Sequence, residues 1–380
     1  MNLAVKEQCT GCGACANVCP NSCIDMVADE HGFEYPKIDE QKCVHCNLCE
    51  RACPVGKCDR QTHVGRAYAM MNCDEQERLN SSSGGVFSLI SKAVLSENGV
   101  VFGAGFDEQL NVRHTFIERV DELYSLRGSK YVQSSVGYCY REVADILKRG
   151  KKVLFSGTPC QTDGLKQYLE VIKIPTDKLI LVDFICHGVP APEVWNRYRQ
   201  FKEVRNDAKI KYADFRSKDT GWKDFSIKLE FENGKCDAIK AWDDLYIGAF
   251  LRDLSLRPSC YACPSKGCRK LSDITLADFW GVAESLPEFN DDKGVSLVIA
   301  NSEKGQHIID SISHLTIFQE VSFEQAIRHN KSWSESAKKP KMADYFMKNY
   351  KTKPFDRVAL KCQKKTGVWK FIRALRDKLH

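Results

Sequence analysis

Eight cysteines near the start of the chain fall into two copies of one pattern, C-x-x-C-x-x-C-x-x-x-C-P. They are Cys9, Cys12, Cys15 and Cys19 before Pro20, then Cys43, Cys46, Cys49 and Cys53 before Pro54. This spacing leaves the segment little choice of fold, because three close thiolates wrap one face of a four-iron cubane while the fourth reaches a neighbouring cluster. The expectation is two 4Fe-4S clusters. A disulfide framework is the competing use of eight cysteines in a short segment. Against it, adjacent C-x-x-C thiols sit too close for a conventional set of staples, and a zinc site needs neither the third cysteine nor the proline. Cys23 and Cys58 fall outside the repeat and read as ordinary packed thiols.

Residues 1–60 therefore resemble a bacterial-type dicluster ferredoxin domain. In that arrangement Cys9, Cys12, Cys15 and Cys53 hold one cluster, while Cys43, Cys46, Cys49 and Cys19 hold the other. With 380 residues, 43% hydrophobic and 28% charged, the chain can bury more than one core. Met1 to Gln8 contains no apolar export segment, and no later stretch approaches the length of a membrane span. Nineteen cysteines in such a chain point to a reducing compartment, so a cytoplasmic location is expected.

The rest of the sequence alternates helix and strand signals. Residues 61–80 read as a polar linker, and Ser83-Gly84-Gly85 opens an amphipathic helix with Val86, Phe87, Leu89, Ile90 and Val94. Strands are expected at 100–104, 153–155, 179–185, 273–280 and 295–300, with helices at 134–149, 190–204, 243–255 and 303–313. Alternating residues at 210–215 and 225–231, joined by Glu232-Asn233-Gly234-Lys235, predict an antiparallel insertion. The fold class expected is α+β or α/β: a small N-terminal dicluster ferredoxin domain joined to a larger α/β domain over 61–330, then a basic, partly helical tail over 331–380.

Four more cysteines stand at predicted turns: Cys160 in S-G-T-P-C-Q, Cys186 in I-C-H-G-V-P, and Cys260 with Cys263 in R-P-S-C-Y-A-C. Scattered cysteines are usually buried hydrophobes. A C-x-x-C pair joined by two cysteines at strand ends instead suggests a third 4Fe-4S cluster.

Five motifs occur in order: Ser82-Ser83-Gly84-Gly85-Val86-Phe87, Gly128-Ser129-Lys130-Tyr131-Val132-Gln133, Gly157-Thr158-Pro159-Cys160-Gln161, Cys186-His187-Gly188-Val189-Pro190, and Asp273 through Gly281 (D-I-T-L-A-D-F-W-G). Together they resemble the coenzyme F420 hydrogenase/dehydrogenase beta-subunit family across about residues 62–330. The resemblance implies a flavoprotein with FAD beside a 4Fe-4S cluster, exchanging hydride with a substrate. It places Ser83, Gly84 and Gly85 at the flavin pyrophosphate, where a helix start offers backbone N–H groups. Lys130 is assigned to the pyrimidine as a stabiliser of reduced flavin, with Ser129, Gln133 and Ser134 as hydrogen-bonding neighbours and Gly157 and Thr158 at the adjoining turn. His187 would tune the cluster or donate a proton at the flavin. A packed helix start, a solvated lysine and a structural histidine are the bland alternatives. Cys268 departs from the family pattern and is left out of the ligand set.

The function expected is an oxidoreductase passing electrons between the clusters and FAD, with hydride exchange to coenzyme F420 or another small molecule. The alternative is a non-catalytic subunit that delivers electrons to a partner enzyme. A redox partner protein is implied in either case, either a ferredoxin-like donor or a hydrogenase/dehydrogenase subunit. Residues 331–380 carry fifteen Lys and Arg against four Asp and Glu. Their apolar stripe of Val368, Ile372, Leu375 and Leu379 suits packing, a protein partner, or peripheral contact with the inner face of a membrane. No base-reading motif accompanies the charge, so nucleic acid is not an expected partner.

Overall fold

The computed structural model describes residues 3–57, 65–267 and 270–363. The cysteine repeat folds as two matching halves. The short helices α1 (Ala14–Val18) and α2 (Leu48–Ala52) each begin after a left-handed residue, Gly13 and Asn47, and each carries the third cysteine of its run. An antiparallel hairpin, β1 (Ile24–Ala28) with β2 (Glu34–Ile38), lies between them.

The larger body is built on an eight-stranded mixed sheet. Its strands are β3 (Ala67–Asn72), β4 (Val100–Phe106), β5 (Val112–Ile117), β6 (Val153–Ser156), β7 (Leu179–Phe184), β11 (Ile274–Asp278), β12 (Ser296–Ala300) and β13 (Thr316–Val321), in the order β13-β3-β12-β11-β7-β6-β4-β5. The four central strands β11, β7, β6 and β4 are parallel, and antiparallel strands flank them. Side chains alternate across the sheet as the period of two requires. Val101, Leu154 and Ile180 pack beneath α4 (Val86–Ser96), with its Leu89, Ile90 and Val94. Phe102, Phe155 and Leu181 face the other way, into the core made with α5 (Cys139–Lys148) and α6 (Pro159–Val171). The ferredoxin residues Ala14, Val18 and Ile24 belong to that same core, so the cluster domain is packed onto the sheet.

Three sequence expectations are corrected here. The supposed linker at 61–80 contains β3, buried throughout between β12 and β13, followed by the helix α3 (Glu75–Leu79). The helix expected from 134 begins at Cys139, because Ser135 instead bridges to Arg113 of β5 and Gly137 is left-handed. The helix expected over 243–255 shortens to α8 (Leu245–Phe250), and the chain turns at the left-handed Asp253.

The antiparallel insertion is a separate sheet of three strands, β8 (Ile210–Ser217), β9 (Ser226–Phe231) and β10 (Cys236–Lys240), in the order β10-β9-β8. It shares a core with Trp195 and Tyr198 of α7 (Pro192–Asn206) and Tyr246 of α8. Two helices of the tail region, Ala343–Asn349 and Phe355–Cys362, insert Phe346, Phe355 and Val358 into that core. The stripe of Val368, Ile372, Leu375 and Leu379 lies outside the described residues, as do Cys58 and Cys268. Among the described residues no helix is long and apolar enough to cross a membrane.

Candidate metal centres

The structure gathers the cysteines into three groups. Around Cys12, burial pushes the thiol up to about 12, and its thiol neighbours are Cys53 and Cys9. Cys15 is raised further, again first by burial, with Cys12, Cys9 and Cys53 adding to it. The fourth cysteine of the second run thus joins three from the first. The second group, Cys19, Cys43, Cys46 and Cys49, lines a single cavity with Ile24 and Leu48. Cys46 is the exposed member, so this group lies nearer solvent than Cys12. Cys23 also lines the cavity, with its Sγ 3.3 Å from Cys19 Sγ. It is a fifth thiol at this centre, which corrects its reading as an ordinary packed residue.

The third group is assembled across the body. Cys160 occupies the first turn of α6, where Thr158 and Gln161 form a capping box and Thr158 Oγ1 lies 3.1 Å from Cys160 Sγ. The loop carrying Cys186 pairs with the segment before Cys260: Ala191 N–H donates to Ser255 O at 2.8 Å, and Arg257 N–H to Val189 O at 3.0 Å. Burial pushes Cys186 up to about 11 and Cys260 up to about 12, with Cys263 a neighbour of both. Cys160 is raised well above its ordinary value by burial, and then by Cys263, Cys186 and Cys12. Four buried thiols that hold their protons this firmly make a suitable nest for iron, which takes the place of those protons.

Cys12, a residue of the first group, is therefore also a neighbour of the third. The reason is a close approach at Gly164, one helical turn beyond Cys160 and on the same face of α6. A Cβ there would stand 2.9 Å from Cys12 Sγ. Helix α6 thus brings two thiol groups together through a position that admits only hydrogen.

The residues assigned to a flavin are dispersed among several tasks. Ser129 N–H and Oγ both donate to Ser82 Oγ, at 2.7 and 3.0 Å, so two of the sequence motifs meet. Ser83 Oγ donates to Val295 O at 2.8 Å. Gly84 N–H donates to Ser296 Oγ, and a Cβ on Gly84 would collide with Met70 O at 2.3 Å. Gly84 is required for packing between strands, which corrects its assignment to phosphate approach. Gly85 is left-handed at the start of α4, which has no side-chain cap, and Asn72 beside it buries an amide Nδ2 with no partner. Those two features suit an anionic group. Nothing in the sequence singled out Asn72.

Lys130 Nζ donates to the carbonyls of Arg127, Gly128 and Leu126, and burial lowers its pKa to about 8. Its neighbour Tyr131 stacks on Phe250 at 4.8 Å, and Phe250 meets the His187 ring edge-on at 5.3 Å. His187 Nε2 is held by Asp253 Oδ1 at 2.5 Å, which fixes its ring beside Cys186. Gln133 and Ser134 turn elsewhere. Gln133 Nε2 donates to Thr10 O in the ferredoxin domain, and Ser134 Oγ bonds the buried His114. Gly157 and Thr158 shape the turn that presents Cys160.

Comparison with known proteins agrees with this division. Residues 8–57 match the family described as 4Fe-4S dicluster domain, and residues 150–325 match the C-terminal part of the coenzyme F420 hydrogenase/dehydrogenase beta subunit. The F subunit of F(420)H(2) dehydrogenase from Methanosarcina mazei is 23% identical over 190 residues, covering 46% of this chain and 52% of that one. Coenzyme F420-dependent sulfite reductase of Methanocaldococcus jannaschii is 28% identical over 329 residues, covering 80% of this chain and 46% of the relative. The chain spans about half the length of these curated relatives. A chain of the F420-reducing NiFe hydrogenase complex from Methanosarcina barkeri aligns with a TM-score of 0.49 and 15% identity, over 72% of this chain and 89% of that one. The chain belongs to the coenzyme F420 hydrogenase/dehydrogenase beta-subunit family, with a 4Fe-4S dicluster domain in front of the family domain.

Proposed function

We propose that this chain is an oxidoreductase subunit in which three 4Fe-4S clusters form a conducting path to FAD, and that a small molecule exchanges hydride at the flavin. The observation that carries the path is the approach of α6 to Cys12, which makes the Cys160 thiol a neighbour of the first cluster's ligands. Electrons would enter or leave at the Cys19/Cys43/Cys46/Cys49 cluster, whose Cys46 is exposed. They would pass through the Cys9/Cys12/Cys15/Cys53 cluster to one held by Cys160, Cys186, Cys260 and Cys263.

Gly85 and Asn72 would hold the phosphates, with Ser82 and Ser129 beside them. What FAD would supply is the exchange between an electron pair carried as hydride and the single electrons carried by clusters. His187, oriented by Asp253 next to Cys186, is placed to hold a proton on its exposed ring. Lys130, kept close to neutrality by burial, adds a positive charge whenever it is protonated. The names of the two F420-linked relatives favour coenzyme F420 as the hydride partner. The second reading, a subunit that delivers electrons to a partner enzyme, draws on the same relatives, one of which is a subunit by name.

Iron and flavin counting decides between these readings. Anaerobically purified protein is expected to hold about twelve irons and one flavin per chain, from three four-iron clusters. Eight irons after full reconstitution would remove the third cluster. Twelve irons without flavin would leave the electron-delivery reading.

A further inference from the structure

Arg257 is completely buried, yet no carboxylate among the described residues forms an ion pair with it. A buried charge of this kind is costly unless something of opposite sign stands nearby. Its hydrogen bonds go to neutral groups: Nε to Cys9 O at 2.7 Å, Nη1 to Gln133 Oε1 at 2.9 Å, and Nη2 to Glu34 O at 2.8 Å. The guanidinium lies over the Tyr35 ring at 4.3 Å. One contact differs in kind, since Nη2 is 3.7 Å from Cys9 Sγ. The cradle is closely built, because a Cβ on the left-handed Gly11 would stand 2.7 Å from Nη1. The backbone of Arg257 serves the third thiol group at the same time, its carbonyl accepting from Cys260 N–H at 2.9 Å.

We propose that Arg257 is a positioning residue that raises the reduction potential of the cluster bound by Cys9, Cys12, Cys15 and Cys53, with the cluster and its thiolates serving as the missing counter-charge. Adding an electron makes a cluster more negative, so a fixed cation and an N–H···S bond at Cys9 favour the reduced form. The cluster in the middle of the path thus accepts electrons more readily than the outer one at Cys19, Cys43, Cys46 and Cys49. The inference rests on the front pair of clusters alone, so it is independent of the third cluster and of FAD, whose presence the iron and flavin count reports separately.

The test is an anaerobic redox titration of the full, cluster-loaded chain followed by electron paramagnetic resonance, with Cys46→Ser marking which signal belongs to the outer cluster. Arg257→Met removes the charge and keeps the bulk. Gln133→Glu is nearly isosteric and gives the guanidinium a carboxylate partner, which cancels its field at the cluster. Both are expected to lower the inner ferredoxin cluster's one-electron equilibrium constant about tenfold, equivalent to about 59 mV, and to leave the outer cluster unchanged. Should Arg257→Met fail to assemble, Gln133→Glu alone decides. Less than a twofold change at the inner cluster, or an equal shift at both clusters, overturns the proposal.

Discussion

Replacing Cys260 by alanine is expected to remove about four irons per chain while leaving the eight of the front cluster pair in place. Cys260 sits where the Cys186 loop and the turn after Arg257 are bound together by backbone hydrogen bonds, so its backbone position does not depend on its thiol. Its side chain is buried, with Cys186 and Cys263 as its thiol neighbours. Three thiols cannot close a four-ligand cubane site, and the loss is therefore expected to be whole rather than graded. Cys23→Ala supplies the contrast. Cys23 lines the outer ferredoxin cavity as a fifth thiol, so the iron content of that variant should stay at the parental value. Iron analysis with Mössbauer spectroscopy reads both outcomes. Full iron content in Cys260→Ala would exclude that residue as a ligand.

The second large effect concerns stability. Arg216 on β8 and Asp278 at the end of β11 form a buried bidentate pair, with both oxygens 3.1 Å from the guanidinium. Trp222 Nε1 also donates to Asp278 Oδ1, at 2.8 Å, and the guanidinium lies 4.1 Å over the Phe225 ring. The pair joins the three-stranded sheet to the main sheet. Asp278→Asn leaves the Arg216 charge without its partner, which costs about 3–5 kcal/mol in buried pairs. The midpoint of urea unfolding should fall accordingly, and the double variant Arg216→Met/Asp278→Leu should recover much of the loss because both charges go together. A midpoint unchanged in Asp278→Asn would mean that the pair does not hold the two sheets together.

The centres were more legible in the sequence than the fold that positions them. Thiol spacing is set by the geometry of a cubane, so the two cysteine runs state their ligand pattern in the primary structure. The third group shows only as cysteines at predicted turns, since its members come from strand ends separated by 103 residues between Cys160 and Cys263. Strand β3 escaped notice because A-Y-A-M-M-N has no β-branched residue and no alternation, being buried on both faces. The exposed edge strand β13 was missed for the opposite reason, as most of its residues face solvent. Gly84 reads equally well as a phosphate contact or a packing glycine, and only Met70 O and Ser296 at its position decide. Arg257, next to a proline and a serine, carries no sign in the sequence that it is fully buried against Cys9.

The central claim is that the first ferredoxin cluster and the cluster at Cys160 stand close enough to exchange electrons directly. Electron paramagnetic resonance of the fully reduced protein tests it, because neighbouring paramagnetic clusters split or broaden one another's signals. Mutual broadening that collapses to simple, non-interacting signals in Cys260→Ala is the predicted result. A fully iron-loaded parent protein whose cluster signals add as independent spins, unchanged by that substitution, would contradict the account.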